Sequence, residues 1–576
     1  MPHTYSTCLG RLALFNSDLA ADRADRLSRD LTPRQIALLV SALNFHALDN
    51  PGVSLRIVVH VAAPGRPSHL TDAGTRHSEN HTGAAVVAEF SIASTVAGTP
   101  HPHFLHVRKA WEVDPETGVR NIVLDAEHDP EHPQSGGRPN LFWWLRGRVL
   151  YWWLRGRVER RFPFQYDSLR QWLLRGREAS LHVEKIKPRE VDLPLSTLAT
   201  ETETETATET GDREQAVIFG LHWLELGGAE RWAIESIALA REHGLRPIVI
   251  TDVPSAHPWI MRAELAGAIV LILTHPVEQP EHSEPVLEAV AANFDVRGVF
   301  VHHSRWLYDR LPWLRMRLPG VPVVTTHHIL EYNGGGYPAI GAALDDFIDV
   351  HHVISPQLDE WLVGVQGINP DKVALAPLVG LTTSGPVAAA VKTRVDADAL
   401  TLGYIGRFAP QKRPYLFTKL VRTLREQGVP LRVVMQGGGD LEQFVRRDIS
   451  GHGLDDLVEW VGEGAPVHET LARIDALVLS SQNEGLTLTT LEALAAGVPV
   501  ISTDVGSQRT IIVPQALVAR EPRQFLTEAA AVVTRMSASE EFRTDVWQAE
   551  MARAHEFTTH ISAHDWAGKL FDQWSK

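Results

Sequence analysis

Residues 476–497 read ALVLSSQNEGLTLTTLEALAAG. Ala476–Ser480 is a short, nearly continuous apolar run, the pattern of a strand buried on both faces. Glu484-Gly485 marks a turn, and from Thr487 onward the spacing predicts a helix. A strand that turns sharply into a helix sets the helix N-terminus, with its free N–H groups and positive dipole end, at the carboxyl end of the strand. Such a place binds anions. Glu484 lies in the turn over it, and Glu492 lies eight positions on, about two helical turns further. Carboxylates at both places could accept hydrogen bonds from sugar hydroxyls. The plainer reading is a capped surface helix with two solvated glutamates.

The same strand–turn–helix grammar extends in both directions. Upstream, Thr401–Ile405 is a strand followed by Gly406-Arg407-Phe408-Ala409-Pro410-Gln411-Lys412 and a Leu/Arg-rich helix. Arg407 and Lys412 could stabilise a departing diphosphate, one with a fork and one with a point charge; a pair of surface cations is the alternative. Leu431–Met435, Leu457–Val461 and Val498–Ser502 read as further strands. Gln436-Gly437-Gly438-Gly439-Asp440 follows one of them, where glycine lets backbone approach a ligand or simply makes a turn. Glu463-Gly464 is a candidate loop near a nucleotide base, and Gly506 follows the last strand.

A second series precedes this one. Val217–Gly220 and Pro247–Thr251 are strands around a helix at Glu230–Glu242, and the alternation runs on to about residue 380. Gly227-Gly228-Ala229-Glu230-Arg231 lies between strand and helix, so its glycines serve either a ligand or helix–strand packing. His302-His303 and His327-His328 stand at strand ends and are expected to face the crevice. No ligand spacing among them supports zinc. The fold class expected is α/β: two Rossmann-like, doubly wound domains facing a cleft, plus an uncharacterised N-terminal α/β region.

Taken in order, GGAER at 227–231, Gly406-Arg407 with Lys412, the pair Glu484 and Glu492, and LEALAAGVPVISTDVG at 491–506 resemble the retaining GT-B glycosyltransferases of family 4. The resemblance covers residues 215–575 and implies transfer of a sugar from a UDP- or GDP-sugar to a glycan or lipid-linked acceptor in cell-surface polysaccharide or glycoconjugate biosynthesis. It implies that Arg407 and Lys412 contact the diphosphate, Glu484 the transferred sugar and Glu492 the ribose. Gly227 and Gly228 approach from the opposite wall. Gly406, Gly437, Gly438, Glu463, Gly485, Leu486, Thr487 and Leu488 complete the donor site. His328, with His327 as alternative, is expected beside donor sugar and acceptor. No metal or other cofactor is implied, and Asp396-Ala397-Asp398 reads as linker. Gly506-Ser507-Gln508-Arg509 departs from the family's Gly pair and acidic residue. The rival readings are a non-catalytic glycan or sugar-nucleotide binding protein and a GT-B epimerase.

Composition agrees with a globular protein: 576 residues, 44% hydrophobic and 22% charged. A net charge of −15 disfavours nucleic acid as a partner. One cysteine, Cys8, excludes a disulfide within the chain and suits a reducing compartment. No basic start with an apolar run is seen, so no signal peptide is expected, and the location expected is cytoplasmic. Residues 138–189 carry 13 Lys and Arg against 4 Asp and Glu. WWLRGR recurs at 143–148 and 152–157, and WLLRGR follows at 172–177. This is either a peripheral contact with the inner membrane face or a basic helix that packs its tryptophans on the protein.

TETETETATET at 200–210 cannot bury enough surface to order itself. The domains expected are therefore 1–137, of unknown role; 138–190, Trp/Arg-rich; 191–214, a linker; 215–380, the acceptor-side domain; 381–398, a spacer; 399–555, the donor domain; and 556–576, a crossover helix. In the first of these, 32–48 reads as helix and 53–62, 84–95, 104–113 and 121–126 as strands.

Overall fold

A computed structural model describes residues 14–17, 26–27, 29–63, 68–71, 84–98, 119–126, 163–174, 181–188, 213–225, 227–274, 285–331, 334–378, 387–485 and 487–576. The expected strand at 104–113, the Thr/Glu run at 200–210, Cys8, Leu486 and most of the Trp/Arg-rich segment lie outside these residues.

The N-terminal sheet holds β1 (Phe15–Ser17), β2 (Ser54–Val61), β3 (Ala85–Ser94) and β4 (Val119–Leu124) in the order β1-β3-β2-β4. Helix α1 (Pro33–Asp49) packs beside it. Thr32 starts α1 with a reciprocal cap: its Oγ1 accepts from Gln35 N at 3.3 Å, and its own N donates to Gln35 Oε1 at 3.0 Å. Pro33 fixes the first helical φ. The far side of α1 covers the edge strand of the next sheet, where Ser41 Oγ accepts from Ile272 N at 2.9 Å. An open strand edge is thus covered and partly satisfied.

That next sheet is all parallel: β5 (Gln215–Leu221), β6 (Arg246–Thr251), β7 (Ile269–Ile272), β8 (Asp295–Val301), β9 (Val323–His327), β10 (Val350–Val353) and β11 (Val373–Leu375), in the order β11-β10-β9-β8-β5-β6-β7. The third sheet is also parallel: β12 (Leu400–Ile405), β13 (Leu431–Gln436), β14 (Val458–Val461), β15 (Ala476–Leu479), β16 (Val500–Thr503) and β17 (Leu517–Val518), in the order β14-β13-β12-β15-β16-β17. Central strands such as β12 and β15 are buried on both faces, so they read as apolar runs. The direction of winding reverses between β5 and β8 in one sheet and between β12 and β15 in the other. Each sheet is therefore doubly wound, with a crevice at its switch point.

Seven further helices matter here. They are α2 (Pro163–Leu174), α3 (Gly228–Glu242), α4 (Pro414–Glu426), α5 (Leu488–Ala495), α6 (Pro522–Ala538), α7 (Glu540–Phe557) and α8 (Ala563–Trp574). The terminal helix expected over 556–576 is shorter, because α7 ends at Phe557 and α8 begins only after Ser562, which caps it by accepting from Asp565 N at 3.0 Å. Helix α8 lies on the first Rossmann-like domain, with Phe571 against Phe219 and Phe300 and the Trp574 ring over Gly298. Residues before β12 lie along the second domain, with Ala388 N bonded to Ala495 O and Lys392 N to Gly497 O, each at 2.8 Å. Among the described residues no helix is long and apolar enough to cross a membrane.

Candidate active site

Strands β12 and β15 are hydrogen-bonded neighbours at the switch point, so the loops after them leave the sheet side by side. The first loop carries Lys412 and the second carries Glu484. Lys412 Nζ stands 2.6 Å from Glu484 Oε1. The loops are also tied through the backbone: Ser480 Oγ donates to the carbonyls of Lys412 at 3.0 Å and Arg413 at 3.1 Å. Gln482 N donates to Gln411 O at 2.7 Å, and Gln411 Nε2 to Asn483 O at 3.0 Å. The Glu484 side chain is 7% exposed and that of Lys412 21%. The carboxylate is thus buried while the ammonium still reaches the cleft, so Glu484 depends on Lys412 as its counter-charge.

The departure at 506–509 has a structural role. Gly506 has φ +56°, and a Cβ there would collide with the carbonyl oxygens of Glu484 and Gly485. Gln508 Nε2 donates to Thr487 Oγ1 at 2.6 Å, and its Oε1 accepts from Thr490 Oγ1 at 3.2 Å. A glutamine therefore holds the first turn of α5 from behind.

The glycine loops serve the protein's own backbone first. A Cβ on Gly437 would strike the Gly406 carbonyl, and Phe408 N donates to Gly438 O at 2.7 Å. Glu463 is exposed and lies against Gly438, and Arg407 is exposed beside the Lys412 turn. Thus Gly406, Arg407, Lys412, Gly437, Gly438 and Glu463 occupy one rim, with Glu484, Gly485, Thr487, Leu488 and Glu492 on the next.

The opposite wall comes from the first Rossmann-like domain. Gly228 faces the Leu488 methyl, which a Cβ would meet at 3.6 Å. Arg231 Nη1 is 3.8 Å from Glu492 Oε1 across the cleft. Burial raises the Glu492 carboxyl, and Arg231 opposes that rise. The His328 carbonyl packs directly on Gly485. The Gly227 side of the loop is filled by the Glu230 carboxylate rather than left open for a ligand. Glu230 Oε1 accepts from Trp223 Nε1 and contacts His222 Nε2, both at 2.9 Å. Burial pushes the Glu230 carboxyl up, but the His222 and Trp223 contacts outweigh it and leave it below its ordinary value.

The histidine expectation needs correction. His327 does not face the crevice: its Nε2 is 3.0 Å from His351 Nδ1 and 3.1 Å from Thr325 Oγ1 inside the domain. His351 is anchored in turn to Asp345 at 3.2 Å. Successive residues of a strand point to opposite faces, so one of an adjacent pair must turn inward. His302 also turns inward, to Ser236 Oγ at 3.1 Å. The outer members meet: the His303 and His328 rings are 5.0 Å apart, and His303 stacks on Tyr337 at 4.6 Å. Burial holds His328 well below its ordinary pKa and His303 at about 3, so both are neutral imidazoles. Their Nε2 atoms are buried without a protein partner among the described residues.

The sequence reading missed His222, Trp223, Asp252 and Tyr337. The signal for His222 and Asp252 was position, since each directly follows the carboxyl end of a parallel strand. Asp252 Oδ2 accepts from Ser304 Oγ at 3.0 Å and Trp306 N at 2.7 Å, while burial raises its carboxyl to about 6. No such signal marked Tyr337. Among the described residues no cluster of three His, Cys, Asp or Glu is arranged to hold a metal ion.

Residues 389–546 match the family described as "Glycosyl transferases group 1". The matched stretch contains the Lys412–Glu484 pair and helix α5. A D-inositol 3-phosphate glycosyltransferase of Geodermatophilus obscurus is 28% identical over 273 residues, covering 41% of this chain and 59% of the relative. A putative glycosyltransferase, EpsF, of Bacillus subtilis is 28% identical over 160 residues, covering 28% of this chain and 37% of the relative. The chain thus spans less than two thirds of the length of these curated relatives. The solved structure of Anabaena Alr3699/HepE in complex with UDP aligns with TM-score 0.47 at 14% identity, covering 62% of this chain and 98% of that one.

Proposed function

We propose that this chain is a glycosyltransferase that moves a sugar from a nucleotide diphosphate sugar, UDP- or GDP-linked, to an acceptor hydroxyl with retention, as family 4 of the GT-B enzymes does. The observation that carries the reading is the half-buried Lys412–Glu484 pair, held by two switch-point loops beside the N-terminus of α5. Here the Lys412 ammonium, the Arg407 guanidinium and the first amides of α5 stabilise the charge that grows on the departing diphosphate. Glu484 accepts from hydroxyls of the transferred sugar, and Glu492 from the ribose. The acceptor hydroxyl enters from the wall of His222, His303, His328 and Tyr337 and attacks the face the diphosphate leaves. The leaving phosphate takes its proton, so no strong base and no metal are required. The two neutral imidazoles back this wall without adding charge to it.

The same proposal covers a glycan or lipid-linked acceptor, a role in cell-surface polysaccharide or glycoconjugate synthesis, and a cytoplasmic place at the inner membrane face. The relatives and the matched family, glycosyltransferases by name, support sugar transfer; the acceptor and location rest on the resemblance and on the basic Trp/Arg segment. The test is release of nucleoside diphosphate from a panel of UDP- and GDP-sugars. Lys412→Ala should cut turnover by about 10²–10³-fold. Turnover near wild type in that variant refutes the assignment.

A further inference from the structure

Helix α2 belongs to the Trp/Arg-rich segment, outside both Rossmann-like domains in sequence, yet it is built into the second domain beside the Lys412 turn. Asp167 is its anchor. Oδ1 accepts from Arg413 Nη2 at 2.8 Å, and Oδ2 accepts from Tyr415 OH at 2.9 Å. Both Arg413 and Asp167 are buried, with side chains 0% and 3% exposed. A second contact lies one helical turn on, where Arg170 Nη1 donates to Gln482 Oε1 at 3.3 Å, two residues before Glu484.

Arg413 has a left-handed backbone, φ +50° and ψ +50°, at the start of α4. Such a conformation is costly for a residue with a Cβ and persists only where the surroundings fix it. Side chain and backbone both fix it here: Asp167 holds one guanidinium nitrogen, the Arg520 carbonyl holds the other at 2.8 Å, and Arg413 N donates to Ala409 O at 3.2 Å. The Lys412 and Arg413 carbonyls are gripped together by Ser480 Oγ. The residue before Arg413 in this turn is Lys412, whose Nζ reaches Glu484 Oε1 at 2.6 Å.

We infer that Asp167 is a positioning residue of the donor site: by locking Arg413 in its left-handed conformation it aims the Lys412 ammonium at the diphosphate. The inference rests on the reading that Lys412 binds a diphosphate. It also gives the Trp/Arg-rich segment a task within the site, because its helix completes the turn.

The experiment is a double-mutant cycle in nucleoside diphosphate affinity, using UDP and GDP as probes in calorimetry on the full chain. In the wild-type background Asp167→Ala should weaken binding about 5–10-fold, and in the Lys412→Ala background by less than about 2-fold, because its effect passes through Lys412. A merely structural aspartate would lower the thermal midpoint equally in both backgrounds and leave diphosphate affinity unchanged; that result overturns the inference. An equal loss of affinity in both backgrounds overturns it too. If Asp167→Ala does not fold, Asp167→Asn, which keeps an oxygen for Arg413, is read by the same rule. It should weaken binding by about 2–3-fold, and only when Lys412 is present. Binding of neither diphosphate by the wild type sinks the nucleotide-sugar reading itself. Binding by the wild type with no effect of Asp167 sinks this inference alone.

Discussion

Gly485→Ala is the most direct probe of how the two lobes work together. Gly485 sits between Glu484 and the start of α5, and its Cα faces the carbonyl oxygen of His328 on the other domain. A Cβ at this position would lie well inside the 3.0 Å that real Cβ contacts respect, and its neighbour is backbone that cannot rotate away. The cleft must therefore open by on the order of 1 Å, a misplacement that can cost about 10²-fold in rate when reacting groups come from both sides. Lys412 and Glu484, the donor residues of the proposed reaction, lie on one lobe, so a diphosphate site built on them survives the shift. The expected result is split: sugar transfer falls about 100-fold, while nucleoside diphosphate affinity stays within about 3-fold of wild type. Transfer at the wild-type rate would show that the lobe contact is not used. Equal loss of transfer and diphosphate binding would show that the donor loop itself was distorted. Either outcome refutes the division of labour between the lobes.

Two further outcomes are expected. Asp252→Asn keeps an oxygen for Ser304 and Trp306 but removes a carboxyl that burial raises from 3.8 to about 6. The folded state favours the protonated acid, so the wild type loses stability as pH rises through this window. The variant should equal wild type near pH 4 and exceed it by about 3 kcal/mol near pH 8, read as urea midpoints; a gap independent of pH contradicts the cause assigned. Trp574→Ala empties the space over Gly298 and the edge contact with Phe571, 5.5 Å between ring centroids. It should cost about 3 kcal/mol and release α8 to limited proteolysis before the rest of the first domain; unchanged cleavage would mean that α8 does not depend on this ring.

The expected strands at 217–220, 247–251, 401–405, 431–435 and 476–480 coincide with observed strands to within one or two residues. Doubly buried strands between amphipathic helices carry that signal locally. The loops that carry Lys412 and Glu484 were also legible, as turns that follow two strands, while the roles expected of the two side chains came from the resemblance. The direction of a side chain at a strand end was not legible, and His327 shows why: a one-residue difference decides between crevice and core. The Asp167–Arg413 pair was out of reach for a different reason, since 246 residues separate the partners and neither stands in a pattern that names the other. The order of the N-terminal sheet, with β4 parallel to β2, likewise depends on pairing that no local period encodes.

Glycine is the instructive middle case. The sequence marked Gly227 and Gly437 as places of close approach or packing, and Gly485 and Gly506 only as turns, but not what lies against them. At Gly227 it is the Glu230 carboxylate, at Gly437 the Gly406 carbonyl, at Gly485 the other lobe and at Gly506 the Glu484 carbonyl. In each case the neighbour is an oxygen of the protein, so the glycines act on a ligand only indirectly, by letting loops from different strands stack without side chains between them. The stacking brings Lys412 to Glu484 and Arg231 to Glu492. A charged site of this depth therefore depends on tight backbone packing as much as on its charged residues, and a methyl group added at any of these glycines should disturb it while every charge remains in place.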